Sequence, residues 1–283
     1  MIPNTGWDTN PKFAEYYDLI TKHKDYQKEC DFIEAVLSRF LKNLPNKILD
    51  VGCGTGTHAL ELAKRGYKVF AFDIAKPMIE MAIKKDTKKQ VHFSHGVITD
   101  YKGEDFDAVI CMFNIVNYLP GFSDLVKFLK NVRSAMSKQG IFIFDTWNGL
   151  AVMKIRSSSK LRVFDTERGK IYRYVEPEFD ILGQRTILKY HCLVVKGKKV
   201  VDEFNSIHNI KFYMPEQIKN ALDSSGFKIL KSCASINIEK EISEEDWIAT
   251  YIVTPSQEVR ENDKNECGKG ESPVKRYENG IFI

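Results

Sequence analysis

The sequence predicts an α/β fold in which helices cover both faces of a doubly wound, mostly parallel β-sheet. Up to residue 150, short apolar runs typical of buried strands alternate with amphipathic stretches of helical spacing. Strands separated by helices pair in parallel, so the helices must lie on both faces of the sheet. Beyond residue 150, polar and apolar residues alternate, which is typical of an antiparallel sheet with one solvated side.

The first unit of this pattern spans residues 47 to 73. It opens with the apolar run from Ile48 to Val51, a strand covered on both faces, and continues in a loop from Gly52 to Gly56. The glycines allow a sharp turn and a close approach of backbone to ligand. A helix from Thr57 to Arg65 and a second strand from Lys68 to Phe72 follow. This order of parts is typical of a nucleotide-binding unit.

The elements on either side of this unit follow the same spacing rules. An amphipathic helix is predicted between residues 25 and 44 and is broken at Pro45, and Pro77 lies in the first turn of a helix that reaches Ile83. The remaining predicted elements are a strand at Val91–Ser94, a strand at Phe106–Phe113, a helix at Phe122–Ser137 closed by Gly140, and a fifth strand at Ile141–Asp145.

Antiparallel strands are predicted after residue 150, and a helix from Pro215 to Ser225 and two further strands follow them. The predicted strands are Lys170–Val175, Arg185–Val195 and Lys199–Phe212, then Lys228–Ile238 and Trp247–Thr254. The chain then divides into an N-terminal helical cap (1–46), a core (47–150), an antiparallel insertion (151–213), a segment that completes the core sheet (214–255) and a charged tail (256–283) that we expect to be loosely ordered.

Composition argues against several classes of protein. The 283 residues carry a formal net charge of only +4, whereas enzymes acting on nucleic acid more often show a concentrated basic face. The six cysteines form no C-x-x-C pair and fit reduced thiols in a cytoplasm. The first residues contain no apolar signal region, and no run of about 18 apolar residues occurs. We therefore expect a cytoplasmic protein with no nucleic-acid or membrane partner, and we allow for a homodimer.

Two acids and the glycine spacing indicate which nucleotide is bound. Asp73 ends the second strand, where a carboxylate can accept hydrogen bonds from both ribose hydroxyls. The glycines follow G-x-G-x-G rather than the dinucleotide pattern G-x-G-x-x-G, and no Lys-Ser or Lys-Thr follows, which excludes a P-loop. Asp50, just before the loop, would repel a pyrophosphate but suits a ligand with a cationic amino-acid end. These features favour S-adenosylmethionine.

The run from Asp50 to Gly56 resembles the first motif of the class I S-adenosylmethionine-dependent methyltransferases, [D/E]-x-G-x-G-x-G. The resemblance implies a seven-stranded Rossmann-like sheet completed by the last two strands, and an insertion after the fifth strand that forms a lid over the substrate. Residues 16–18 with 24–26, residues 111–119, and the run from Glu203 to Phe212 resemble the small-molecule branch of the family. That branch includes enzymes that N-methylate nucleotide-linked amino sugars.

The resemblance also implies cofactor contacts. An N-terminal tyrosine, here Tyr17, closes over the methionine carboxylate or the methyl group. After the third strand the family usually has Gly-Asp, but this chain has Gly96-Val97, so we expect adenine to be bound by the amide of Ile98 and by Val97, unless Asp100 supplies the acid. The predicted cofactor-binding residues are Tyr17, Tyr26, Asp50, Gly52, Cys53, Gly54, Asp73, Ile74, Val97, Ile98 and Met112.

Methyl transfer from a sulfonium is an in-line displacement, so we predict no metal site. The nucleophile must arrive deprotonated, and a histidine is the usual base near neutral pH. His208 is predicted to look into the substrate cavity as this base, with Tyr17 as a second catalytic residue; a buried structural histidine is the alternative. The predicted substrate-binding residues are Asn117, Trp147 and His208, and Trp147 either stacks on a ring or anchors the lid.

The predicted function is therefore methyl transfer from S-adenosylmethionine to a nitrogen or oxygen of a small metabolite, such as a sugar or an amine. Two other classes stay open at this point: a non-catalytic binder of S-adenosylmethionine or adenosine, and an RNA or protein methyltransferase. The residues from Asn114 to Asn117 stand where an Asn/Asp-Pro-Pro-Tyr motif would follow the fourth strand, which argues against methylation of nucleobase amines.

Overall fold

A computed structural model describes residues 11–167 and 169–256 of the chain. Its helices are α1 (Pro11–Ile20), α2 (Tyr26–Phe40), α3 (Thr57–Lys64), α4 (Lys76–Lys85), α5 (Phe122–Ala135), α6 (Gly149–Ile155) and α7 (Pro215–Ser224). Its strands are β1 (Lys47–Val51), β2 (Lys68–Asp73), β3 (Val91–His95), β4 (Phe106–Cys111), β5 (Met136–Trp147), β6 (Lys160–Thr166), β7 (Gly169–Asp180), β8 (Arg185–Lys196), β9 (Lys199–Lys211), β10 (Phe227–Ala234) and β11 (Ile248–Pro255).

A seven-stranded sheet forms the centre of the molecule, in the order β10-β11-β5-β4-β1-β2-β3. Strands β1 to β5 pair in parallel, and β11 is antiparallel to both of its neighbours. The chain winds outward from β1 to β3 and then returns to β4 on the other side of β1. The carboxyl ends of β1 and β4 therefore lie at a topological switch point, where open α/β sheets bind ligands. The predicted fold class is confirmed.

Both faces of this sheet are buried, because successive side chains of a strand point to opposite faces. Ile48 packs with the apolar face of α2 and α3, whereas Leu49 packs with α5 and α7 on the other side. Both side chains are fully buried. Burial of a leucine or isoleucine side chain contributes about 1.5–3 kcal/mol. The apolar strands thus fix the position of the glycine loop that follows β1.

A second sheet, which we call the lid, consists of the antiparallel strands β6-β7-β8-β9. Helix α1 lies between the lid and the core, because Phe13 and Tyr16 pack with Ile171 and Phe204 of the lid and with Met78 of α4. Contact between the lid and the core is therefore made partly by α1, a helix that precedes the core in sequence.

Several element boundaries differ from the prediction. Helix α5 ends at Ala135 rather than Ser137, because Met136 pairs with Phe106 and already belongs to β5. Strand β4 ends at Cys111, because the two residues after Met112 have positive φ angles of 74° and 59°. Strand β10 ends at Ala234, four residues early, and β6 and α6 were not predicted.

Two expectations concern residues outside the described part: the absence of a signal region in residues 1–10 and the loosely ordered tail, of which only Ser256 is described. Among residues 11–167 and 169–256, no helix has the length and apolar character needed to cross a membrane.

Candidate active site

A cavity of about 610 Å³ opens at the carboxyl ends of β1, β2 and β4. All eleven residues predicted to bind the cofactor belong to its lining. They come from six separate stretches of the chain, which the parallel sheet and the N-terminal helices bring together. Helix α5 contributes a further face to this cavity with Asp124, Lys127 and Asn131, which sequence reasoning did not identify.

The glycine loop turns sharply between β1 and α3. Gly56 has φ +75°, and a Cβ there would lie 2.5 Å from the ring of Phe93, so the loop and β3 can meet only over a glycine. Gly54 has φ +56°, but the nearest atom to its Cβ position is Cε1 of Tyr17 at 3.9 Å. Gly54 therefore presents bare backbone toward the cavity, with the Tyr17 ring above it.

Asp73 binds the loop from the end of β2. Its Oδ2 accepts a hydrogen bond from the Gly54 amide and its Oδ1 accepts one from the Ala75 amide, both at 2.8 Å. Burial raises the pKa of this carboxyl, and the two amide bonds oppose the rise. Each carboxylate oxygen has a second lone pair. Because Asp73 lines the cavity, it retains acceptor capacity for a ligand hydroxyl.

Asp50 lies on β1 and is only 2% exposed. Its Oδ2 is buried without a hydrogen-bond partner among the described residues. Burial raises the pKa of this carboxyl to about 6, although nearby His58 and the Ala59 amide act in the opposite direction. A buried carboxylate that lacks a partner is costly, so Asp50 offers a strong site for a cationic group.

The sequence left open that Asp100 binds adenine, and the position of its side chain after β3 does not support this alternative. Asp100 accepts a hydrogen bond from the Val97 amide at 2.9 Å and closes a short 3₁₀ turn. It does not belong to the cavity lining, whereas Val97 and Ile98 do. Asp100 therefore stabilises the turn that presents these two residues.

The N-terminal helices form the opposite wall. Glu29 binds Nε2 of His58 at 2.6 Å and Nζ of Lys24 at 3.0 Å. Burial opposes the ionisation of Glu29, but His58 and Lys24 together hold its pKa below the usual value. The Lys24 ammonium also lies 3.4 Å from the centre of the Phe113 ring, in a cation–π contact. The loop after β4 is thus tied to the segment between α1 and α2.

Comparisons with known proteins agree with this geometry. The methyltransferase domain family matches residues 48–140. The chain is 26% identical to the putative methyltransferase YqeM of Bacillus subtilis (strain 168), over 77% of this chain and 85% of that protein. It is 24% identical to the dTDP-3-amino-3,6-dideoxy-alpha-D-glucopyranose N,N-dimethyltransferase of Streptomyces fradiae, over 78% and 86%. Residues 48–140 carry a methyltransferase domain, and these similarities support a class I S-adenosylmethionine-dependent methyltransferase. It is an enzyme whose cofactor is S-adenosylmethionine.

The fold of this methyltransferase also matches a solved structure. An S-adenosylmethionine-dependent methyltransferase from Clostridium acetobutylicum ATCC 824 superposes with a TM-score of 0.74 at 23% identity, covering 87% of this chain and 98% of that one. The cavity residues fit the cofactor chemically. The buried, unpartnered Oδ2 of Asp50 suits the cofactor's ammonium group, and the bare backbone at Gly54 leaves space beside it.

His208 is not part of the lining of the methyltransferase's cofactor cavity, and its burial favours the structural histidine that the sequence left as the alternative. The side chain is completely buried, with Nε2 2.8 Å from the Ser206 hydroxyl and Nδ1 2.8 Å from the Tyr118 hydroxyl. The rings of Phe13 and Tyr190 also pack against it, at 5.3 and 4.7 Å. Burial lowers the pKa of His208 to about 3, so the imidazole is neutral at physiological pH.

Tyr118 lies between His208 and the cavity and was not among the predicted site residues. It lines the cavity from the 3₁₀ turn after β4, as does Tyr17 from α1. The sequence signal was present, because Tyr118 belongs to the segment 111–119 that resembles the family. Burial raises the pKa of Tyr17 well above its ordinary value, so its hydroxyl is protonated.

The two other predicted substrate-binding residues lie outside the lining of the cofactor cavity. Asn117 is fully buried, and its amide binds the Thr146 hydroxyl, the Lys211 carbonyl and the Trp147 amide. It joins the turn after β4 to the ends of β5 and β9, and it belongs to the lining of neither the cofactor cavity nor the cavity beneath the lid. Trp147 lines a second cavity beneath the lid, together with Trp247.

Proposed function

We propose that this methyltransferase acts on a nitrogen atom of a small polar metabolite, with the amino group of a sugar as the first candidate. The observation that carries the proposal is the hydrogen bond between the Tyr118 hydroxyl and a neutral, buried His208. Tyr118 lines the cavity, and its hydrogen-bond partner His208 is a weak base. The name of the Streptomyces fradiae relative, an amino-sugar N,N-dimethyltransferase, supports the same acceptor.

The low basicity of His208 favours a nitrogen acceptor over an oxygen acceptor. An alkyl ammonium group loses its proton near pH ~10, as the lysine side chain does. A hydroxyl group resembles water, whose pKa is ~16, and needs a far stronger base. With a pKa of about 3, His208 is too weak a base to deprotonate an alcohol. An amine that binds in its neutral form carries its own lone pair and requires orientation only.

The residues of this site then act mainly by positioning. The cofactor supplies a methyl carbon that is already activated by a sulfonium. Asp50 and Asp73 are proposed to hold the ammonium and the ribose, while Tyr17 and Tyr118 hydrogen-bond the acceptor. His208 is a positioning residue, because it fixes the Tyr118 hydroxyl without touching the substrate. Correct orientation of two reactants can supply several kcal/mol of the barrier reduction.

A matched pair of acceptors tests the choice of nitrogen. A nucleotide-linked amino sugar and its counterpart with a hydroxyl at the same carbon are incubated with enzyme and methyl donor. We expect S-adenosylhomocysteine to form only with the amine and mass spectrometry to locate the added methyl on nitrogen. Methylation of the hydroxyl compound in preference to the amine would contradict the proposal.

The role of His208 is tested separately. Tyr118→Phe should lower kcat about 10- to 100-fold while S-adenosylhomocysteine affinity stays unchanged, and His208→Ala should lower kcat by a similar factor. The double variant should be no worse than either single one, because both changes remove the same interaction. The wild-type kcat, measured with saturating methyl donor, should show no inflection near pH 6.5. Such an inflection, lost in His208→Ala, would instead identify His208 as the base.

A further inference from the structure

The chain segment that follows β4 forms one wall of the cofactor cavity. We call residues 112–118 the β4 turn. The Phe113 ring of this turn lies 6.4 Å from the Tyr17 ring in an edge-to-face contact, and the Lys24 ammonium lies 3.4 Å from the centre of the same ring. Phe113 is therefore in contact both with α1 and with the segment between α1 and α2.

The rest of the β4 turn reaches the glycine loop and the lid. A Cβ on Gly52 would lie only 2.9 Å from Cγ2 of Ile115, so the turn packs directly on the bare backbone of that loop. At the end of the turn, the Tyr118 hydroxyl hydrogen-bonds His208 of β9. Phe113, Ile115 and Tyr118 all line the cofactor cavity. The position of this one turn therefore sets a large part of the cavity wall.

The β4 turn begins in an unfavourable backbone conformation. Phe113 and Asn114 have φ angles of 74° and 59°, and within residues 11–167 and 169–256 no other two consecutive residues, glycine aside, both have positive φ. Asparagine tolerates this conformation, but a bulky residue such as phenylalanine rarely adopts it. Such residues persist only where surrounding contacts hold them in place. The start of the β4 turn therefore needs a contact from outside the turn.

Asp145, near the end of β5, supplies this contact. Its Oδ1 accepts a hydrogen bond from the Asn114 amide at 2.5 Å, and the Phe113 amide also donates to the carboxylate. Successive backbone amides that converge in this way form a concave site for an anion. Asp145 is only 8% exposed. Burial raises the pKa of its carboxyl, whereas the Asn114 amide, the Lys24 ammonium and the Phe113 amide act in the opposite direction.

We propose that Asp145 is a positioning residue for methyl transfer. It lines neither the cofactor cavity nor the cavity beneath the lid, and it acts through the amides of Phe113 and Asn114. By holding these amides, it fixes the Phe113 ring and the Tyr118 hydroxyl on the cavity wall. Asn117 ties the end of the same turn to β5, so loss of the Asp145 contact should release only the start of the turn.

The test compares Asp145→Asn with a matched control, Asp86→Asn. A side-chain amide has the size of the carboxylate but offers one acceptor oxygen in place of two. Asp86 is also 8% exposed, and it accepts the Gln90 and Val91 amides, both at 2.9 Å. It lies before β3, at the amino edge of the sheet, opposite the cavity. Both variants should lose stability, but only Asp145→Asn should alter the β4 turn.

A spectroscopic signal reports on the β4 turn without any methyl acceptor. Because the Lys24 ammonium lies over the Phe113 ring, the ring current should shift the Lys24 side-chain proton resonances upfield in nuclear magnetic resonance spectra. Lys24→Arg assigns these resonances. Wild type and Asp86→Asn should keep the upfield shift, and Asp145→Asn should lose it. Persistence of the shift in Asp145→Asn would overturn the proposal, as would its loss in Asp86→Asn.

Steady-state kinetics and calorimetry separate positioning from binding. Asp145→Asn should lower kcat with the amino sugar about 10- to 100-fold, because a small misplacement of the reactants is costly, and should change S-adenosylhomocysteine affinity less than about 3-fold. Asp86→Asn should keep kcat within about 2-fold, since it is remote from the turn. A parallel fall of kcat and cofactor affinity in Asp145→Asn, or an equal fall of kcat in Asp86→Asn, would show a general loss of structure and overturn the proposal.

Two provisions keep the outcomes distinct. If Asp145→Asn does not fold, the same substitution is made in Asn114→Gly and compared with that variant, because glycine adopts the left-handed conformation without steric cost. Only the kinetic measurement rests on the proposed function. If wild-type protein does not methylate the amino sugar, the proposed function fails, and the Lys24 resonances still decide whether Asp145 holds the β4 turn.

Discussion

Affinity for the cofactor should depend on pH through Asp50. In the cofactor-free protein this carboxyl has a pKa of about 6, against an ordinary value of 3.8, because it is buried and its Oδ2 has no hydrogen-bond partner among the described residues. A rise of about two pH units corresponds to roughly 3 kcal/mol of unfavourable ionisation. A cofactor ammonium beside Asp50 would remove most of that cost, so binding should lower its pKa.

The expected consequence is weaker binding in acid. Below pH 6, Asp50 must release a proton before it can pair with the ammonium group, so affinity for S-adenosylhomocysteine should fall about 10-fold between pH 7 and pH 5. Titration calorimetry in two buffers of different ionisation enthalpy should also detect proton release on binding below pH 6. Adenosine, which lacks the amino-acid end, serves as the matched ligand and should bind with little dependence on pH.

Asp50→Asn separates this carboxyl from other titrating groups. The variant should bind S-adenosylhomocysteine about 10- to 100-fold more weakly at pH 7.5, as expected for loss of a charged hydrogen bond, and with little pH dependence. The folded protein holds the Asp50 proton up to a higher pH than the unfolded chain does. The stability contributed by this group therefore falls as pH rises from about 4 to about 6. An identical pH slope in wild type and variant would refute the reasoning.

Three further outcomes are expected. Asp73→Ala should weaken S-adenosylhomocysteine binding by about 1.5–3 kcal/mol in calorimetry, because the ribose loses a charged acceptor and the Gly54 amide loses its partner; unchanged affinity would place the ribose elsewhere. Gly56→Ala should unfold at lower denaturant concentration than Gly66→Ala, since both residues have positive φ but only Gly56 would place a Cβ against Phe93. Asn117→Ala should lower the free energy of unfolding by about 2–4 kcal/mol in chemical denaturation and leave S-adenosylhomocysteine affinity intact; a selective loss of substrate binding would return Asn117 to the site.

The cofactor side of the site was predictable because its signals are local. The glycine loop and the acids Asp50 and Asp73 lie within one strand-loop-helix-strand unit, and the parallel sheet fixes where such units meet. Val97 and Ile98 followed from the family resemblance, because Gly96-Val97 stands where the family has Gly-Asp after the third strand.

The substrate side depends on contacts between distant parts of the chain. His208 is buried by Phe13 of α1 and by Tyr118, neither of which its own strand indicates. Strand β6 was missed because most of its side chains are exposed and its sequence, KLRVFDT, has few buried positions. Arg162 and Arg173 are cross-strand partners, and this pairing could not be predicted because β6 itself was not.

Helix α1 contacts both the cofactor side of the core and the lid. On one side, Asp18 binds the Thr55 hydroxyl and Lys85, and Tyr17 covers the glycine loop. On the other side, Tyr16 stacks on Phe204 of the lid, and Lys12 pairs with Asp202.

Because the same ten-residue helix lines the cofactor cavity through Tyr17 and packs against the lid, it cannot shift at one of these contacts without disturbing the other. Release of the cofactor past this helix would therefore also disturb the packing of α1 against the lid. This coupling favours an ordered cycle, in which methylated product departs first and S-adenosylhomocysteine follows. Product-inhibition patterns at steady state would record that order.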